Sequence, residues 1–158
     1  MSIELKKTTQ LTPAQVLSYI PQQEPFRFVD QILYINENEI SGIYTFKPQE
    51  FFYVGHFPNK PITPGVILLE SMCQVGVVAF GIYLVSLEIP SNEINNWLTV
   101  FTDAKMEFFR SVYPGDTVTI KATKVFWRKM KLKSNIEMYD QNNNLLATAV
   151  ASGIGVPK

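Results

Sequence analysis

One stretch decides the architecture of this chain: residues 63–87, TPGVILLESMCQVGVVAFGIYLVSL. Thr63 can cap a helix, and Pro64 can occupy the first turn, where its missing N–H costs nothing. The sequence then stays apolar on every side up to about Leu87, a pattern typical of a helix that is buried all round. We therefore predict one long central helix with the rest of the chain packed around it.

The same segment is near the length of a membrane-spanning helix. Glu70, Ser71 and Gln74 interrupt it, and a carboxylate within a membrane span is costly. The remaining strands would also need a core helix to pack on. We therefore predict no membrane insertion.

Strand-like runs flank the helix on both sides. Upstream, Thr12 and Pro13 start a short helix, and residues 28–35 and 39–46 can form a hairpin. Four further runs follow the central helix: 97–109, 117–127, 130–139 and 145–154. We predict a single α+β domain over residues 1–158, an antiparallel sheet of about six strands wrapped around one helix. The second face of the helix then needs cover, which another copy of the chain would supply.

Composition limits the partners and the compartment. The formal net charge is zero, with 14 basic and 14 acidic residues, which argues against nucleic acid as the main partner. The lone Cys73 excludes an intramolecular disulfide, and a small buried thiol fits a reducing compartment. The N-terminal residues contain no apolar signal core, so we predict a cytoplasmic protein. One histidine, one cysteine and a distant carboxylate do not make a usual metal site.

The candidate reactive groups lie in residues 55–70, GHFPNKPITPGVILLE. His56 is the only histidine, and because imidazole titrates near neutral pH it could serve as a base. Glu70 and Gln74 share one helix face, where burial favours the neutral, proton-donating form of a carboxyl group and an amide can hold it. Each group also has a structural interpretation: a lone histidine is often structural, and a buried glutamate can be tied up in a hydrogen bond or salt bridge.

The start of the helix adds a third element. The first N–H groups of a helix have no internal partner and carry the positive end of its dipole. Gly65 lets a ligand approach them closely, so its N–H could polarise a thioester carbonyl. Pro64 and Gly65 could equally do no more than begin the helix. A base, an N–H donor and an acid so close in sequence indicate acid–base chemistry on a carbonyl compound.

Three segments resemble one family. Residues 55–74, GHFPNKPITPGVILLESMCQ, closely resemble the active-site segment GHFPxxPxxPGVxxxEAxxQ of FabZ-type 3-hydroxyacyl-[acyl-carrier-protein] dehydratases. Residues 20–32, IPQQEPFRFVDQI, and 108–116, FFRSVYPGD, resemble the family's LPHRxPFLLVDRI and FxRPVxPGD segments. The resemblance covers most of the chain. It implies the hotdog fold and a homodimer, with a trimer of dimers as a further assembly seen in some members.

The resemblance also implies an activity: dehydration of a 3-hydroxyacyl thioester to the trans-2-enoyl thioester. His56 would remove the C2 proton, Glu70 would protonate the departing hydroxyl, and the Gly65 N–H would hold the thioester oxygen. Each site would combine His56 of one chain with Glu70 of the other. A glutamate at position 70 favours the plain dehydratase over the dehydratase–isomerase branch, which has aspartate there.

The substrate and the supporting residues follow from the same resemblance. Gln74 matches the family's glutamine beside the acid, and the Ile62 carbonyl matches the group that orients the histidine. We also count Phe57, directly after the histidine, among the substrate-binding residues. The acyl chain would arrive on the phosphopantetheine arm of acyl carrier protein, the expected partner, with no other cofactor and no metal.

The sequence departs from the family pattern at several positions near the expected tunnel. The departures are Gln22, Gln23, Gln31, Asn59, Phe109 and Ser111. None removes a catalytic group, but together they reduce positive charge. They suggest, as an alternative to housekeeping synthesis, a specialised paralogue that serves a secondary pathway such as a polyene or lipid tail.

A basic stretch, WRKMKLK at residues 127–133, is a candidate docking patch for an acidic carrier protein. Strand alternation would put Lys129, Lys131 and Lys133 on one face. The docking candidates are Lys105, Arg110, Arg128, Lys129 and Lys131. The alternative is a solvated strand face.

Two rival functions use the same fold. A hotdog thioesterase would need a water activated by a carboxylate, whereas paired imidazole and carboxyl groups suit elimination better. A non-catalytic subunit that binds acyl carriers is the third hypothesis, and the intact His56, Gly65 and Glu70 argue against it.

Overall fold

The structure, a computed structural model, describes residues 10–158 and contains one six-stranded sheet. Every neighbouring pair is antiparallel, in the order β1-β2-β4-β5-β6-β3. The strands are β1 (Gln31–Ile35), β2 (Glu39–Thr45), β3 (Trp97–Phe108), β4 (Thr117–Arg128), β5 (Lys131–Tyr139) and β6 (Leu145–Pro157). The predicted antiparallel sheet is confirmed.

The central helix runs from Gly65 to Ser86 and packs against this sheet. It consists of an α-helical part, Gly65–Cys73, a π-helical part, Gln74–Ala79, and a second α-helical part, Phe80–Ser86. By length and composition it could span a membrane, but 72% of its apolar window is buried inside the fold. It is therefore packed as a core helix, as the sequence predicts.

Close packing of helix and sheet depends on small residues in the π-helical part. A Cβ at Gly76 would come within 2.7 Å of the Ile136 side chain. The Gly76 carbonyl accepts a hydrogen bond of 2.7 Å from Ser134 Oγ of β5. The sheet thus contacts the backbone of the helix directly at Gly76. This contact fixes how the helix is rotated about its own axis against the sheet.

The first helix, α1 (Pro13–Tyr19), has the predicted N-cap. The Thr12 side chain accepts from the Gln15 N–H, and the Gln15 side chain accepts from the Thr12 N–H, which completes a capping box. The predicted cap of the central helix is wrong. Pro64 occupies the N-cap position, and the Thr63 hydroxyl instead contacts the Tyr53 hydroxyl.

Strand β3 forms one edge of the sheet. Its strand partner among residues 10–158 is β6, so its other edge is unpaired there. Several of its apolar side chains are exposed, including Phe101 and Phe108 at 42% and 53%. A long apolar edge of this kind usually needs cover from another chain.

Candidate active site

His56 is fixed by the loop that leads into the central helix. Its Nδ1 lies 2.9 Å from the Ile62 carbonyl oxygen, and its own carbonyl accepts a 3.0 Å hydrogen bond from the Ile62 N–H. Because a carbonyl can only accept, Nδ1 carries the proton in the neutral ring and Nε2 keeps a lone pair. The Phe57 ring stacks on the imidazole at a centroid distance of 4.2 Å. The arrangement therefore places the lone pair of the neutral ring on Nε2.

His56 and the start of the central helix share one cavity of about 490 Å³. Its wall includes Gly65 and the side chains of Phe57, Phe108, Phe109 and Arg110. The cavity therefore brings the candidate base and the candidate N–H donor together, and it is large enough for an acyl thioester.

The Phe108 ring occupies the space that a side chain at position 65 would need. A Cβ at this position would lie 2.7 Å from Cζ of Phe108, closer than real Cβ contacts. The hydrogen bonds that begin the helix run from Ile67 and Leu68 to the Pro64 carbonyl. The Gly65 N–H precedes them, so the helix itself does not use it and an oxygen atom in the cavity can accept from it.

Gln74 holds Glu70 and joins the helix to a distant segment. Its Nε2 donates to Glu70 Oε1 and to the Phe26 carbonyl, both at 2.9 Å, and its Oε1 accepts from the Phe28 N–H at 2.7 Å. The neighbouring Ser71 hydroxyl donates to the Phe28 carbonyl at 2.7 Å. Gln74 is fully buried, whereas Glu70 is only partly buried in the single chain.

Within the described part of the chain, Glu70 does not line the cavity that contains His56. The structure therefore brings together His56, Ile62, Gly65 and Phe57, and it places the Glu70–Gln74 pair elsewhere on the same molecule. The roles that the sequence assigns to these residues stay predictions.

The five basic docking candidates do not form one patch. Arg110 borders the His56 cavity, and Lys105 lies on β3. Arg128, Lys129 and Lys131 surround the turn between β4 and β5. That turn is close to the C-terminal end of the central helix, since Trp127 donates a 2.8 Å hydrogen bond to Glu88.

The predicted alignment of the three lysines is wrong for a local reason. Lys129 and Met130 both have positive φ, 49° and 64°, and form the turn itself, so the strand alternation stops before them. Lys131 and Lys133 do share a face of β5.

Three residues near His56 escaped the sequence analysis: Tyr53, Thr63 and Phe108. Phe108 begins one of the family-like segments. The alternation of side chains along β3 is the signal from which its position facing the helix could have been predicted. Thr63 was assigned to a cap, and no sequence pattern marks Tyr53 as its partner.

Cys73 is buried next to this region, and burial, with a smaller contribution from the charge of Glu70, raises its pKa to about 12. Such a thiol is a packing group and not a nucleophile. No group of three or more metal-ligating side chains occurs among residues 10–158.

Comparisons with known proteins show the family and the fold. Residues 20–146 match the family model described as a FabA-like domain. A 3-hydroxyacyl-[acyl-carrier-protein] dehydratase FabZ from Syntrophobacter fumaroxidans is 30% identical over 146 residues, 92% of this chain and 95% of the relative. The FabZ of Acinetobacter baylyi is 32% identical, covering 77% of this chain and 79% of the relative. The FabZ of Rickettsia africae is 36% identical, with 68% and 71% covered.

Solved structures with the same fold have more distant sequences. The dehydratase heterocomplex ApeI:P from Xenorhabdus doucetiae superposes with a TM-score of 0.71 at 16% identity, covering 94% of this chain and 93% of that one. A thioesterase from Haemophilus influenzae gives 0.66 at 14% identity, covering 95% and 94%. These two show the hotdog fold. The match to the family model and the FabZ relatives show more: the chain belongs to the FabA-like family, among the FabZ-type 3-hydroxyacyl-[acyl-carrier-protein] dehydratases.

Proposed function

We propose that this protein dehydrates 3-hydroxyacyl-carrier thioesters, with His56 as general base and Glu70 as general acid. The observation that carries the proposal is the hydrogen bond between His56 Nδ1 and the Ile62 carbonyl, which leaves Nε2 basic in the cavity that begins at Gly65. The FabZ relatives support the reaction class.

The proposed step is a β-elimination. His56 Nε2 takes the proton from C2, and the electrons of that C–H bond form the C2=C3 double bond. The C3–O bond breaks as Glu70 gives its proton to the hydroxyl, which leaves as water. The Gly65 N–H donates to the thioester oxygen while negative charge builds on it, a contribution of roughly 3–4 kcal/mol for donors of this kind.

The substrate we propose is an acyl chain on the phosphopantetheine arm of acyl carrier protein. This elimination needs no other cofactor and no metal. Arg110, at the wall of the His56 cavity, is the basic residue best placed to meet the carrier. A cytoplasmic role in fatty acid synthesis, or in a related secondary acyl or polyene pathway, fits this substrate.

The first experiment follows the reaction itself. Wild-type protein is incubated with 3-hydroxyacyl carrier proteins of several chain lengths, and loss of water is followed by mass spectrometry. We expect His56→Ala and Glu70→Gln each to lower the rate by about 10²–10⁴-fold, because each removes one proton-transfer group. Release of free acid by the wild type would identify a thioesterase instead. Carrier binding without any turnover would identify a non-catalytic subunit.

We also propose a homodimer in which each site takes His56 from one chain and Glu70 from the other. Two features support it: Glu70 is absent from the His56 cavity wall among the described residues, and the apolar edge of β3 is unpaired there. Assembly into a trimer of dimers would be a further step.

Mixing two inactive variants tests the shared site. A dimer of one His56→Ala chain and one Glu70→Gln chain contains one site with both lesions and one intact site, if the site is shared. Random co-assembly should then recover about a quarter of wild-type activity. If both groups act within one chain, every site keeps a lesion and the mixture stays inactive.

A further inference from the structure

A buried pair of hydroxyl groups closes the segment that contains His56. The Tyr53 phenol oxygen lies 2.6 Å from Thr63 Oγ1, and the two residues are only 5% and 4% exposed. Burial raises the pKa of Tyr53, so its phenol stays neutral, and either hydroxyl can donate in this hydrogen bond. Buried hydroxyl groups are costly unless they are bonded, and each satisfies the other here.

The Thr63 end of this pair lies beside two groups of the proposed reaction. Thr63 directly follows Ile62, whose carbonyl holds the His56 ring, and it stands two residues before Gly65. Its own N–H donates to the Val112 carbonyl at 2.9 Å, which fixes it to the segment after β3. A shift of Thr63 would therefore move the carbonyl acceptor and the candidate N–H donor together.

The Tyr53 end fixes the residue that the ring belongs to. The His56 N–H donates to the carbonyl of Phe52, the residue before Tyr53, at 3.0 Å. Both the backbone and the ring of His56 are thus linked to the hydroxyl pair. The backbone N–H bonds to Phe52, the neighbour of Tyr53, and the ring bonds to Ile62, the neighbour of Thr63.

We propose that the Tyr53–Thr63 hydrogen bond is a positioning device that keeps the His56 imidazole and the Gly65 N–H in one fixed geometry. Tyr53 does not line the cavity, so it acts through the residues that do. The kinetic consequence rests on the proposed function: a displacement of about 1 Å at reacting groups can cost on the order of 10²-fold in rate.

The kinetic test separates positioning from stability. Tyr53→Phe and Thr63→Val each leave one buried hydroxyl without its partner and should lower Tm, whereas the double variant removes both hydroxyls and should recover most of it. We expect kcat of the double variant to remain about tenfold below wild type while KM stays nearly constant. Recovery of kcat together with Tm in the double variant would overturn the proposal.

Two controls match these changes. Thr63→Ser keeps the hydroxyl and should regain most of the kcat that Thr63→Val loses. Tyr83→Phe makes the same chemical change at another buried phenol, which is 1% exposed and lies in the second α-helical part of the central helix. The Tyr83 oxygen accepts a 2.7 Å hydrogen bond from Gln10. Tyr83→Phe should leave kcat unchanged, and an equal loss there would count against a specific role for Tyr53.

A spectroscopic test needs no activity. Because His56 is the only histidine, no other imidazole signal overlaps with it. A ¹⁵N spectrum of untagged protein therefore reports this ring alone. In the neutral ring, the wild type should show one protonated and one unprotonated nitrogen with well-separated shifts, and the double variant should bring them closer as both tautomers become populated. If the wild type does not dehydrate any substrate, the proposed function fails, yet this spectrum still decides the positioning role. Unchanged ring shifts in the double variant would overturn it.

Discussion

The two halves of the candidate site are held in different ways. In the histidine half, residues 53–65, the hydrogen bonds at His56 and Tyr53 join residues six and ten positions apart. In the carboxylate half, Gln74 bonds to backbone groups 46 and 48 positions away in sequence. The side-chain hydrogen bonds of the first half are local, and those of the second form only after the segment before β1 has docked on the helix. Apart from Glu70 itself and the buried Tyr53–Thr63 pair, substitutions in the first half should mainly change the rate, and substitutions in the second should mainly change stability.

Outside the two proton-transfer groups, His56 and Glu70, the largest effect on rate should come from the histidine half. Gly65→Ala puts a Cβ where the Phe108 ring stands, so either the ring or the helix start must move. Displacing one donor of this type costs about 10²–10³-fold in kcat. Gly55→Ala is the matched control, because a Cβ there would meet no atom within 4 Å. Comparable activity of both variants in the dehydration assay would contradict the role of Gly65.

The largest effect on stability should come from the carboxylate half. Gln74→Leu leaves the buried Phe28 N–H and the partly buried Phe26 carbonyl without their partner, which should lower the free energy of unfolding by about 3 kcal/mol. Ser71→Ala removes one hydrogen bond in the same region and should cost about 1 kcal/mol. Urea unfolding measures both. A Gln74→Leu protein that loses activity at an unchanged midpoint would break the distinction between the halves.

A pH-dependent effect of intermediate size should appear at Cys73. Its pKa of about 12 in the folded state exceeds the ordinary 9.0, so above pH 9 the unfolded chain loses its thiol proton while the folded chain keeps it. The contribution of the thiol to stability is complete below pH 9 and should fall by about 1.4 kcal/mol per pH unit between 9 and 12. The stability difference between wild type and Cys73→Ala should therefore shrink between pH 8 and pH 10 in urea titrations. A constant difference would mean that the thiol is not held in its neutral form.

The smallest effect should come from the ring that stacks on the imidazole. Phe57 is 55% exposed, so Phe57→Leu should lower kcat only a few-fold and change the free energy of unfolding by less than about 0.5 kcal/mol. Phe51→Leu, at a phenylalanine with 51% exposure that lies outside the His56 cavity, provides the control. A large loss of stability in Phe57→Leu would contradict the expectation that this exposed ring acts mainly on the rate.

Much of the fold could be predicted because its elements carry long, regular patterns. The long apolar run after Pro64 predicted a core helix, which the structure confirms, although Val66 in its first turn is 74% exposed in the single chain. The alternating runs from residue 97 onwards predicted strands. The errors fall at short boundaries. Thr63 has the side chain of a helix cap, but a tertiary hydrogen bond to Tyr53 takes that hydroxyl away. Lys129 continues a basic run in sequence, although a two-residue turn interrupts the strand there.

The site was predictable to the extent that its contacts are local. The spacing of His56, Ile62 and Gly65 along one loop already brings them near each other, and the structure places them on one cavity. The partners of Gln74 could not be predicted, because nothing in the sequence around Phe26 and Phe28 marks their backbone groups as ligands of a helix side chain. Long-range pairing of this kind depends on the packing of the whole domain.

The strand order also sets a time at which the cavity can form. Phe108, which covers Gly65, belongs to β3, and β3 is attached to the sheet through β6 among the described residues. β6 follows β5 in the chain, so the ribosome makes residues 145–157 long after it has made the helix and the histidine loop. Until β6 has been made, the twelve residues of β3 lack the strand with which they pair among the described residues. A nascent chain that stalls before β6 would present that strand to chaperones or to other unfinished chains.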